Sequence, residues 1–204
     1  MDINIFGVPT HVDSSSWVIV VLIFFWGLPY AMQGLGRREY KKFILGALAA
    51  SVGTIIVTFF HEFCHAIVAN KFGIPIVAAG LDWRGAFVRP DLGVQISAFQ
   101  LAVVAIVGPL SSACVALAAG IINALAVKPG PTKNSLHFFA MVNLKLAAFN
   151  MLPFGHMDGN KVYEWFTNAT ALNTDALALG IFGAVWAFAF FFVFVFADPI
   201  LKKF

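Results

Sequence analysis

The sequence predicts an all-α, multi-pass membrane protein of about five to six spans with a small membrane-associated β-hairpin or sheet. Three observations predict it. Of 204 residues, 60% are hydrophobic and only 11% charged, whereas soluble domains run closer to half apolar and a quarter charged. The apolar residues lie in long blocks separated by short polar stretches, and a helix needs about 20 such residues to cross a bilayer. A few Gly/Pro-punctuated stretches are too polar to face lipid and have strand chemistry.

Lipid cannot hydrogen-bond stray backbone groups, so spans must be helices or closed barrels. Five candidates follow in order: Trp17 to Gln33, Phe43 to Asn70, Ser97 to Val127, Leu136 to Leu152, and Ala176 to Ala197. The whole chain, 1–204, reads as one integral-membrane domain. Many of its 23 phenylalanines fall in the last block, which suits a lipid-facing surface. Residues before Trp17 carry Asp2 and Asp13 but no Lys or Arg. They lack the basic start of a signal peptide, and the first span is expected to be retained. Asn4 to Val8 alternates weakly before Pro9. Residues 74–95 (Ile74 to Gln95), with Gly80, Gly85, Gly93, Pro75 and Pro90, predict a β-hairpin region at the interface or lining a wet cavity. Lys128 to Asn134 reads as a loop.

A net charge of +3 is too small to suggest a nucleic-acid partner, and the bilayer itself is the expected surrounding, with the cell membrane the expected location. Cys64 and Cys114 are too few for a disulfide framework. Oligomeric state is not legible.

The chemistry concentrates in His61-Glu62-Phe63-Cys64-His65. Two histidines four apart project from nearly one helical face and can grip one zinc ion. Glu62 lies about 100° from His61 and about 60° from His65. It flanks the metal without binding it, in the general-base position of zinc-dependent hydrolysis. Ionisable residues deep in an apolar helix are costly and mark function; the plainer alternative is a pair of buried structural histidines. Cys64 borders the same face and is read as packing.

A catalytic zinc usually has three protein ligands and one open position. The third candidate lies in Asn150-Met151-Leu152-Pro153-Phe154-Gly155-His156-Met157-Asp158-Gly159. Asp158 is favoured and His156 is its rival; alternatively Asp158 only caps the following helix.

With both segments in view, the chain resembles the site-2 protease family of intramembrane metalloproteases. That family pairs an H-E-x-x-H helix with a later Asn-x-x-Pro-x-x-x-x-Asp-Gly segment. Here Asn150, Pro153, Asp158 and Gly159 stand at that spacing. Gly108-Pro109 in the third span and Phe6-Gly7-Val8-Pro9 near the start are weaker matches. The resemblance covers roughly Ile5 to Val162. It implies a core of the second, third and fourth spans, one Zn²⁺ per chain held by His61, His65 and Asp158, and Glu62 as the catalytic base. Asn150 would then position substrate or oxyanion. His156, where relatives often carry proline, is left as a group that could hold a ligand from outside or replace one. Asn160 departs from a glycine common among relatives, which marks a divergent, compact member. The implied activity is hydrolysis of peptide bonds in a transmembrane or membrane-proximal protein substrate.

Two other classes compete. A metal transporter or non-proteolytic metal-binding membrane protein would spread buried ligands along a pathway and gives Glu62 no purpose. An inactive relative would have little need of the full set His61, Glu62, His65 and Asp158. Orientation is not assigned. Arg37, Arg38, Lys41, Lys42, Lys128, Lys133, Lys202 and Lys203 fall on one side of the five spans, against Lys71, Arg84, Arg89 and Lys161 on the other. The positive-inside bias places the His61 end outward, while the resemblance implies a zinc nearer the cytoplasm.

Overall fold

The fold is that of a computed structural model, which describes residues 2–5, 8–32, 40–82, 85–91, 93–153 and 157–169, together with 183, 186 and 188. Most of the predicted last span, His156, Arg84 and most of the 34–42 linker lie outside them.

Among the described residues, two N-terminal strands are followed by five α-helices and two further strands, in the order β1 (Asp2–Ile5), β2 (Val8–Val12), α1 (Trp17–Met32), α2 (Tyr40–Lys71), β3 (Ile76–Asp82), β4 (Gly85–Pro90), α3 (Ala98–Ala126), α4 (Pro131–Asn150) and α5 (Asp158–Ala169). The strands form one sheet in the order β1-β2-β3-β4, with β2 and β3 parallel and the other pairs antiparallel. The weak alternation at Asn4 to Val8 thus resolves into two strands rather than one, and the predicted hairpin gains them as neighbours. Asp13 joins sheet to helix. Its amide bonds Leu81 O, and its carboxylate accepts from Ser15 N at 2.7 Å. Hydrogen bonds from Ser15 hold its carboxyl below the usual carboxylate range.

Local chemistry sets the helix ends. α2 stops at Gly73, whose φ of 73° is the left-handed conformation that glycine takes without strain. α3 opens with a capping box: Ser97 accepts from the Gln100 amide, and the Gln100 side chain accepts from the Ser97 amide. α4 begins at Pro131, five residues before the predicted span. Proline at a first helical position gives up an amide that would be unbonded anyway, and Gly130 takes φ 150° before it. The expected loop over 128–134 is therefore half helix.

Packing is inverted relative to a water-soluble bundle. The buried face of α3 is mostly small: Ala102, Ala105, Gly108, Pro109, Ser112, Ala116 and Ala119, with Asn123 the larger exception. Its outward face carries Leu110, Leu117, Ile121, Ile122 and Leu125, the last 83% exposed. Small residues inside let backbones approach, and large apolar ones outside meet lipid. Where α4 meets α1 and α2, a Cβ on Gly27 would run into the Phe138 ring, and one on Gly46 into Ser135. Phe138 fills a core with Ile23, Ala50 and Val142. Ser51 and Thr54, fully buried, bond back to Ala47 O and Ala50 O, so neither hydroxyl is stranded. Among the described residues, two helices are long and apolar enough to cross a bilayer, over Ile44–Lys71 and Ala98–Ala126. α1, at 16 residues, is shorter than the usual requirement.

Phe138→Ala tests this core. Lipid is as apolar as the protein interior, so the transfer contribution drops out and the cavity remains. At about 24 cal/mol per Å³ and on the order of 100 Å³ removed, the expected loss is about 2 kcal/mol, read as a lowered Tm in detergent.

Candidate metal centre

The site is assembled from three helices and roofed by the sheet. The last third of α2 presents His61 and His65 from one face. Both imidazoles are buried, 3% and 7% exposed, and stand edge to face with centroids 4.8 Å apart. Asp158, the first residue of α5, brings Oδ2 to 3.1 Å from His61 Nε2 and 3.4 Å from His65 Nε2. One ligand atom from each of the three lies within 4.8 Å of the others.

Asp158 reaches this point because α5 starts hard against the end of α4. A Cβ on Gly159 would collide with the backbone of Met151 and stand 2.7 Å from Leu152 O, so only glycine fits. Trp186 donates its indole N–H to the Met151 carbonyl at the same bend. Phe99 and Trp165, with ring centroids 5.7 Å apart, pin α5 to α3.

The donors fit a cation. His65 Nδ1 lies 2.6 Å from the Val104 carbonyl. A carbonyl only accepts, so the ring proton sits on Nδ1 and Nε2 carries a lone pair. That Nε2 is buried without a hydrogen-bond partner, and it faces a carboxylate oxygen. Two acceptors aimed at each other in an apolar interior repel, and a positive ion between them removes the conflict. Two imidazole nitrogens and one carboxylate oxygen are a catalytic zinc set with a fourth position open.

Glu62 stays out of the ligand cluster and lines the adjoining cavity, of about 530 Å³, with His65, Asp158, Met157, Lys161 and the strand residues Ala86 to Val88. Asn150, the last residue of α4, brings Nδ2 to 3.4 Å from His61 Nε2. Cys64 is half-buried and outside the ligand group. Sequence reasoning passed over Ser112, whose Oγ lies 3.0 Å from His61 Nδ1. Its signal was a buried-type polar residue four places after Gly108 in an apolar span.

No family model matches the chain. Three curated relatives, each provisionally named a zinc metalloprotease, do. A Methanocaldococcus jannaschii protein is 30% identical over 140 residues, covering 60% of this chain and 71% of its own. A Synechocystis protein is 29% identical over 165 residues, covering 79% and 42%. Rip3 of Mycobacterium tuberculosis is 27% identical over 162 residues, covering 74% and 40%. The chain thus spans about two-fifths of the length of the latter two. The solved site-2 protease of M. jannaschii shares the fold, with a TM-score of 0.56 at 19% identity, covering 98% of this chain and 88% of that one. Lipid-facing helices around this donor set define a membrane protein of the zinc metalloprotease class. More particularly, the chain belongs to the site-2 protease family, and Zn²⁺ is its cofactor.

Metal analysis of the purified protein checks the donor set. His61→Ala, His65→Ala and Asp158→Ala should each lose bound zinc, while Glu62→Gln should retain it.

Proposed function

We propose that this chain is a multi-pass intramembrane metalloprotease that hydrolyses peptide bonds of transmembrane or membrane-proximal proteins. The observation that carries the reading is the placement of Glu62 beside the His61, His65 and Asp158 cluster on one cavity, within a helix whose flanks are built for lipid. The proposed spans are the five read from the sequence, with α2, α3 and α4 as the catalytic core.

Bound zinc would supply Lewis acidity, making water more acidic and a carbonyl more electrophilic. Glu62 takes the proton from the attacking water and returns it to the leaving amine. Asn150, at the end of α4, offers its amide N–H to the oxygen of the reacting carbonyl. A helical substrate hides its carbonyls in i to i−4 bonds and must arrive locally extended. β4 is an outer strand among the described residues, and its Ala86, Phe87 and Val88 line the cavity. A substrate strand adding there would lie across the metal centre. The competing metal-carrier reading has less support, since the described residues hold a single cluster of metal-ligating groups.

The test is cleavage of a membrane-helix substrate in nanodiscs. Glu62→Gln should lower kcat at least about 100-fold, the scale of a lost general base, with zinc content unchanged. Undiminished cleavage by Glu62→Gln would sink the mechanism. Asn150→Ala should lower kcat with a smaller change in KM.

A further inference from the structure

We infer that one face of α3 is the template that aims both imidazoles at the metal, and that Ser112 is the positioning residue for His61. This rests on the zinc reading of the site. Three groups on successive turns of α3, each four residues apart and so on one face, meet the two ligand histidines. The Val104 carbonyl accepts a hydrogen bond from His65 Nδ1–H at 2.6 Å. Gly108 faces the rings directly: a Cβ there would collide with Nε2 and Cε1 of His65 and stand 2.6 Å from His61 Nε2. Ser112 Oγ lies 3.0 Å from His61 Nδ1.

The arrangement is built rather than incidental. Ser112 is 4% exposed and His61 3%, so neither finds water in exchange. For Nε2 of His61 to offer a lone pair to an ion, its proton must reside on Nδ1, and Nδ1 then needs an acceptor. Ser112 Oγ is that acceptor. Without it, the metal-binding tautomer leaves a buried Nδ1–H with no acceptor, while the competing tautomer, with its proton on Nε2 toward Asp158 Oδ2 at 3.1 Å, excludes the metal. In the metal-binding tautomer the hydroxyl accepts from Nδ1–H and holds the His61 ring in place, the part that the Val104 carbonyl plays for His65. Gly108 leaves the space both rings need. Bonds to the second ring nitrogen commonly govern ligand orientation and affinity at metal–histidine sites.

The experiment is zinc affinity of the full chain in detergent, measured by competition with a chromogenic chelator, together with the absorption spectrum of the cobalt(II)-loaded protein. Ser112→Ala should weaken zinc binding about 10- to 100-fold and alter the cobalt bands. Ser112→Thr keeps the hydroxyl and should stay near wild type, whereas Ser112→Val, of almost the same size, should match Ser112→Ala. The Thr/Val pair separates the hydrogen bond from packing, because both carry the added methyl group. Gly108→Ala should weaken zinc further still. Equal zinc affinity in the Thr and Val variants, or wild-type affinity in Ser112→Ala, overturns the role of Ser112 while leaving the zinc site standing. Absence of zinc binding in the wild-type chain overturns both.

Discussion

Three metal-ligand atoms converge: Nε2 of His61, Nε2 of His65 and Oδ2 of Asp158, all within 4.8 Å. Without a cation this is a cluster of lone pairs in an apolar setting, and burying unmatched polar groups is among the costlier things a fold can do. The rest of the structure makes sense as support for that convergence. α2 supplies two donors from one face, α5 supplies the third, and α3 passes behind them.

The approach distances needed for this are set by small residues. Ala and Gly on the buried faces let helices come close, and Gly108 and Gly159 stand where no side chain is tolerated. In lipid there is little transfer free energy to gain from burying leucine, so close backbone contact and satisfied polar groups hold the bundle. Ser51, Thr54 and Thr58 close their hydroxyls onto their own helix.

The sheet completes the cavity. Strands β3 and β4 follow α2 directly and fold back over it, so that β4 borders the space into which Glu62 points. Under the proposed mechanism, a peptide added to that outer strand would lie beside Glu62 and the metal-ligand cluster.

Much of this was legible in residue order. Long apolar blocks declared helices that seek lipid, and the i, i+4 histidines declared two ligands on one face with Glu62 beside them, because helical periodicity is a local property. Asp158 was legible only as a candidate beside His156, and α4 was read to begin five residues late, because Pro131 reads equally as loop or as helix start. What tertiary structure alone decided is the convergence itself. Asp158 meets His61 from 97 positions away, Ser112 from 51, and the N-terminal strands join a hairpin from the middle of the chain. Periodicity can tell which residues share a face, but which faces meet depends on how closely helices pack, and that is settled by glycines and alanines, which carry no functional group to mark them in the sequence.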